Sequence, residues 1–315
     1  MNNCLGIDIG GTNTAFGILN DSGELLFSSQ LATKDFDSVT TLAERIQKVL
    51  KEETKTGFEH ISIGAPSVNK ESKQIEFAPN LEWGDTVDLI EPFEAVFGIQ
   101  PTVINDANAA TLGEKYFGDA KDMKNFAVIT LGTGVGLGLY INGGIVDGNN
   151  GLAGEFGHFV IRRSGRECNC GNLGCLETYA GAEGIVLTAK EKLEFSGGGS
   201  LLMNLPPSDL TPLEIFNAAR KDDPVSLEVI DSVCHDIGYA LSTLINILDV
   251  ENIFITGGIA NSGNILKRKI EKYLKSYTLP NLRTKINLKI SSLNAEGAGI
   301  YGAVASHLDN QNQTV

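Results

Sequence analysis

The sequence predicts an α/β protein of two related lobes, and three observations carry that prediction. The segments "IDIGGTNTAFGILN" at 7–20 and "ITLGTGVGLGLYIN" at 129–142 share one pattern: an apolar strand, a turn of Gly and Thr, and a second apolar strand. Aligned without a gap, Gly10 falls on Gly132 and Asn20 on Asn142, an offset of 122 residues. After each hairpin, strand-like runs alternate with helical spacing, the pattern of a mostly parallel sheet flanked by helices. A chain of 315 residues is long enough for two such lobes with a cleft between them.

The elements follow in order. Leu25 to Gln30 suits a third strand, "VTTLAERIQKVL" at 39–50 an amphipathic helix, and "HISIGAP" at 60–66 a buried strand. Residues 86–97 read as a helix, "PTVIND" at 101–106 as a strand and "ANAATLGEKYF" as the helix after it. Asp8, Pro66, Asn105 and Asp106 then stand at carboxyl ends of strands, where α/β sheets gather ligands. In the second half a helical stretch at 211–248 leads to the strand "NIFIT" at 252–256, then Gly257 and Gly258, then a helix near Ser262. "EGAGIYGAVASHL" at 296–308 reads as a helix whose small residues permit close packing. The expected division is a first lobe of residues 1–115, joined by helix 296–308, and a second of 116–295. Residues 194–209 look like a linker, and the polar tail is expected to fray.

A net charge of −14 argues against a nucleic-acid surface, because phosphate-backbone binding draws on clustered Lys and Arg. No apolar run approaches a membrane span, and the start lacks a basic segment with an apolar signal core, so a cytoplasmic protein is expected.

Glycine-dense hairpins let backbone N–H groups approach a phosphate, and threonine hydroxyls add donors. Either turn alone is equally an ordinary hairpin; the matched pair favours nucleotide binding. "ECNCGNLGCLE" places three of five cysteines within eight residues, and His158, ten residues before Cys168, is the nearest imidazole. Cys168, Cys170, Cys175 and His158 suit a closed, structural zinc site, with a redox pair or an iron–sulfur centre as the other readings. Glu155 and Glu177 flank this knuckle, and with the imidazole nitrogen turned away from the metal they make a receptor for neighbouring hydroxyls; otherwise they are surface or helix-start acids. In "NDAN", Asp106 suits a base toward an attacking alcohol and Asn105 a partner for adjacent hydroxyls, both compatible with helix capping.

These residues resemble the ROK family of sugar kinases and repressors, whose duplicated ribonuclease-H-like fold is shared with actin, heat-shock chaperone ATPases and hexokinase. The resemblance covers nearly the whole chain and rests on "DIGGTNTAFG", "NDANAA", "LGTGVGLG", "GLAGEFGH", "CNCGNLGCLE" and "ITGGI". It implies an ATP-dependent kinase for the 6-hydroxyl of a hexose, with Asp106 as catalytic base. Asn80 in "FAPNLEW", Asn105, Glu155, His158 and Glu177 would bind sugar hydroxyls, and His158 would join the three cysteines on zinc. Gly10, Gly11, Thr12, Asn13, Gly132, Thr133 and Gly134 would face the phosphates, Asp8 would serve Mg2+ and Gly257 and Gly258 would lie near the adenosine. Two positions depart from the pattern: Asn13 stands where many members carry Lys, and Ser67 where many carry Gly. The resemblance points first to a glucokinase, then to an N-acetylglucosamine or N-acetylmannosamine kinase, and last to a sugar-sensing repressor, whose added helix-turn-helix domain is not expected here. Homodimers are common in the family.

Overall fold

The computed structural model describes residues 3–76, 81, 83–293 and 297–313. Asn80 and its loop therefore lie outside the described residues. The first hairpin is β1 (Cys4–Ile9) and β2 (Asn13–Leu19), followed by β3 (Leu25–Ala32), α1 (Val39–Glu53) and β4 (His60–Ala65). Ser38 caps α1 by accepting from Thr41 N–H at 3.2 Å, and the helix buries Leu42, Ala43, Ile46, Val49 and Leu50 at i, i+3, i+4 spacing. Next come β5 (Gln74–Glu76), β6 (Thr86–Asp88), α2 (Ile90–Phe97), β7 (Thr102–Asn105) and α3 (Asp106–Tyr116). Residues 86–97 are thus not one helix: Thr86–Asp88 pairs antiparallel with Gln74–Glu76, and Asp88 then accepts from Ile90 N–H at 2.7 Å to start α2.

The second hairpin is β8 (Phe126–Leu131) and β9 (Val135–Ile141), followed by β10 (Gly144–Ile145), α4 (Glu177–Ala180) and α5 (Ala182–Phe195). The expected helix at 211–248 is two, α6 (Pro212–Ala219) and α7 (Pro224–Leu248). Asp222 turns the chain at φ 59°, and Asp223 caps α7 ahead of Pro224 at its first position. The chain ends through β11 (Asn252–Thr256), α8 (Asn264–Tyr277), α9 (Pro280–Arg283), β12 (Asn287–Ile290) and α10 (Ala298–Gln313). The stretch expected to be a linker holds two short 3-10 turns, Leu201–Asn204 and Pro207–Asp209.

The two large sheets run in the orders β3-β2-β1-β4-β7 and β10-β9-β8-β11-β12. The same topology occurs twice, and β8 and β9 fall on β1 and β2 at the 122-residue offset read from the sequence. The chain divides into two compact units, residues 1–128, 138–154 and 291–315 in one and 129–137 with 155–290 in the other.

In the first unit, Leu5, Ile7, Ile9 and Phe16 meet Leu42 and Ile46 of α1 and Phe93 of α2 in one core. Cys4 and Leu19 meet Ile300 and Val304 of α10 in another. Gly302 of α10 lies against the backbone of Ala109 and Gly113 of α3, a crossing too close for any Cβ. In the second unit, α7 packs on α8, burying Val233, Ile237 and Leu241 of the first and Leu266, Ile270 and Leu274 of the second. Among the described residues no helix is long and apolar enough to cross a membrane.

Candidate active site

In the first unit the site is built at the carboxyl ends of parallel strands. Asp8 lies at the end of β1, beside the turn that Gly10 N–H closes on the carbonyl of Asn13 at 3.0 Å. Asn105 ends β7 and caps α3, its Oδ1 accepting from the N–H of Ala107 at 2.9 Å and of Asn108 at 3.2 Å. That capping sets Asp106 as the first helical residue, where its Oδ1 accepts from Ala107 N–H at 2.8 Å. Capping leaves the Asn105 amide NH2 with no partner among the described residues.

Asp8 and Asp106 are both half-buried and close enough for the charge of one to act on the other. Burial, then the charge of Asp106, raises Asp8 to about 7. Burial also raises Asp106, against the pull of the Ala107 N–H. Gly299, in the first turn of α10, supplies the room for Asp8: a Cβ there would overlap its carboxylate.

The raised Asp8 has a stability consequence. Below about pH 3 the carboxyl is protonated folded and unfolded alike; as pH rises toward 7 the unfolded chain ionises first and the fold loses stability. Asp8→Asn is therefore expected to stabilise the ligand-free protein at pH 8 by about 1–3 kcal/mol after discounting for solvent screening, seen as a raised melting temperature, and to leave stability unchanged at about pH 3. Scanning calorimetry at both pH values checks this; an equal effect at each would contradict it.

In the second unit, a 3-10 turn (Phe156–His158) puts His158 over the cysteine loop. Ligand atoms of His158, Cys168, Cys170 and Cys175 all lie within 4.8 Å of one another. A tetrahedral zinc has S···S edges of about 3.8 Å and S···N edges of about 3.6 Å. Here Cys170 Sγ to Cys175 Sγ is 3.7 Å and Cys168 Sγ to His158 Nδ1 is 3.5 Å, so the set fits that ion. Burial pushes Cys168 and Cys175 up, the latter to about 12; at Cys170 burial is outweighed by the Asn172 N–H and the neighbouring thiols, which bring it down to about 7. His158 Nε2 points the other way, 3.8 Å from Glu155 Oε2. Arg166 ties the loop to α4 through the carbonyl of Thr178 at 2.7 Å and to α5 through that of Gly184 at 3.0 Å.

Glu177, two residues beyond Cys175, reaches the second Gly-Thr turn. Its Oε2 accepts from Val135 N–H at 3.1 Å and fills the space that a Cβ on Gly134 would need. Ala182 N–H donates to Gly132 O at 3.0 Å, so the start of α5 holds the same turn. Gly257, at φ 93°, lies against the backbone of Leu131, the residue before that turn, with no room for a Cβ. Gly258 has open space around its Cβ direction, and the turn residues Thr12, Asn13 and Thr133 are exposed.

Sequence reasoning missed Thr33, which buttresses the first turn by donating from Oγ1 to Gly10 O at 2.7 Å and from N–H to Thr12 O at 3.0 Å. It also missed Gly299 and Arg166. None carries a motif; each is found only through the fold. At Ser67 the backbone adopts φ 51°, a left-handed conformation that glycine takes without strain.

Comparison with known proteins adds kinship to this geometry. The ROK family model matches residues 4–309. A glucokinase of Halalkalibacterium halodurans is 35% identical over 307 residues, 95% of this chain and 92% of that one. The crystal structure of a ROK family glucokinase from Streptomyces griseus in complex with glucose and AMPPNP matches with a TM-score of 0.87 at 29% identity, covering 98% of this chain and 100% of that chain. The xylose repressor of Caldicellulosiruptor bescii is 29% identical over 309 residues, 96% of this chain and 77% of that protein.

Proposed function

Because the chain belongs to the ROK family and has its duplicated actin-like ATPase fold, we propose that it is a glucokinase, transferring the γ-phosphoryl group of ATP to the 6-hydroxyl of glucose. The observation that carries the reading is Asp106, held at the strand-to-helix junction by the Asn105 cap with its carboxyl raised by burial. A carboxylate so placed is a strengthened base toward an alcohol. It takes the 6-hydroxyl proton as the new O–P bond forms and the bond to the β-phosphate oxygen breaks, giving glucose 6-phosphate, ADP and a proton.

Asn105, through its amide NH2, and Glu155, His158 and Glu177 receive the other sugar hydroxyls. The turns at Gly10–Asn13 and Gly132–Gly134 offer N–H groups to the phosphates, and Gly257 and Gly258 leave room for the adenosine. Asp8 would serve Mg2+, which when bound with ATP would screen the phosphate charge. The Cys3His cluster is compatible with a zinc that pins the knuckle and fixes the outward nitrogen of His158. Three thiols kept reduced suit a cytoplasmic enzyme, and family precedent suggests a homodimer, which light scattering tests.

The role of Glu177 separates from sugar binding. Glu177→Ala is expected to weaken AMPPNP binding about tenfold with no sugar present, through loss of a charge-assisted bond to the turn. Glu177→Gln, which keeps an acceptor for Val135 N–H, should stay close to wild type in that titration. Equal nucleotide affinity in wild type and the alanine variant would show that the turn stands without it.

Substrate choice is tested by an ADP-release assay with Mg-ATP against glucose, mannose, fructose, N-acetylglucosamine and N-acetylmannosamine. The proposal requires the highest kcat/KM on glucose. Preference for an acetylated sugar would replace the substrate and keep the chemistry.

A further inference from the structure

Asn108, the second asparagine of "NDAN", is left without a role once Asn105 and Asp106 have theirs. It lies on α3 at 3% exposure, and its Nδ2 donates to Asp147 Oδ1 at 3.2 Å. An ionised carboxylate only accepts, so this bond sets which way the amide faces. The amide Oδ1 is then buried with no hydrogen-bond partner, which a folded protein seldom tolerates without a reason. The other oxygen of Asp147 accepts from Lys70 Nζ at 2.7 Å.

These residues line a cavity of about 590 Å³ within the first unit. It follows β7, which ends its sheet, so Thr102 to Asn105 turn an open strand edge toward it. The volume falls within the range of small-molecule sites. Its charges balance, with Lys70 and Lys73 against Asp147 and Asp309, which favours a neutral ligand over an anion or a cation. The orphaned Oδ1 calls for a donor, while Lys70 and the strand edge call for acceptors as well as donors. Hydroxyl groups meet both demands, and Leu112 and Ile145 offer apolar surface to a carbon skeleton.

We propose that this groove is a second, non-catalytic binding site for a neutral polyhydroxylated small molecule, one of whose hydroxyls donates to Asn108 Oδ1. Its source is either free hexose or an acyclic polyol. Asn105 borders the groove as well as capping α3, so occupancy is felt at the helix that carries Asp106.

The test uses the full chain without ATP, titrated separately with glucose and with sorbitol while the side-chain NH2 resonances of Asn108 are followed by NMR. Gly144 borders the groove at an ordinary φ with nothing near its Cβ direction, so Gly144→Phe fills the cavity without backbone strain. In wild type the Asn108 signals are expected to move with sorbitol, and in a weak phase of the glucose titration, with a dissociation constant on the order of 10 mM. In Gly144→Phe both should be lost, leaving only the tighter glucose phase felt from the catalytic site through the Asn105 cap, while the kcat of the variant, which reports its fold, stays within about twofold of wild type. Response to both probes identifies a general polyol site, and response to glucose alone a site for the hexose. The absence of a weak phase with both probes up to on the order of 100 mM, or the same weak phase in Gly144→Phe, would overturn the proposal.

Discussion

Asp106→Asn is expected to lower kcat for glucose phosphorylation by about a thousandfold, within the span that general-base catalysis supplies. The amide can keep the acceptor for Ala107 N–H and hold the start of α3, so the loss belongs to proton transfer and not to folding. The KM for glucose should stay within about threefold, because the remaining hydroxyl partners are untouched. Stability should not fall: burial disfavours the ionised carboxyl, and a neutral isostere removes that penalty. Steady-state kinetics beside a melting curve separates the two effects. A variant that retains a tenth of wild-type kcat would remove Asp106 from the role of base.

Metal removal has the second large expected effect. A zinc on the four ligand side chains would hold a loop in which Gly171 and Gly174 sit at positive φ and Leu173 is exposed. The protein as purified is expected to contain one zinc per chain by elemental analysis. Stripping it should lower the melting temperature by several degrees and weaken glucose binding at least tenfold, measured by calorimetry without ATP. The cause of the second effect is His158: with Nδ1 on the metal, Nε2 faces Glu155, and with the metal gone the ring loses its fixed tautomer and orientation. Restoring zinc should restore both properties. Glucose affinity that persists in demonstrably metal-free protein would confine the cluster to stability.

The duplicated hairpins were legible because Gly10 and Gly132, like Asn20 and Asn142, fall at one offset, and β8 and β9 occupy the spans of β1 and β2 at that offset. The knuckle was legible for a similar reason: its ligands lie close in the chain, and three cysteines with one imidazole leave few other arrangements. Short pairings were not. Thr86–Asp88 forms a strand only because Gln74–Glu76 lies beside it, while its apolar spacing continues smoothly into α2. The break between α6 and α7 hides in polar residues, since Asp222 takes a left-handed conformation that composition does not announce. Contacts across long stretches of chain were least accessible. The reach of Glu177 to Val135 spans 42 residues and the support of Gly10 by Thr33 spans 23, and in each case the partner is a backbone group that leaves no mark in the sequence.

The central claim is the transfer itself, and product analysis tests it most directly. Glucose labelled with carbon-13 at carbon 6, incubated with Mg-ATP and catalytic protein, is expected to give glucose 6-phosphate, seen as phosphorus coupling on the labelled carbon, in step with ADP. ATP consumed without that coupling, or glucose left unchanged while ATP persists, would contradict the account.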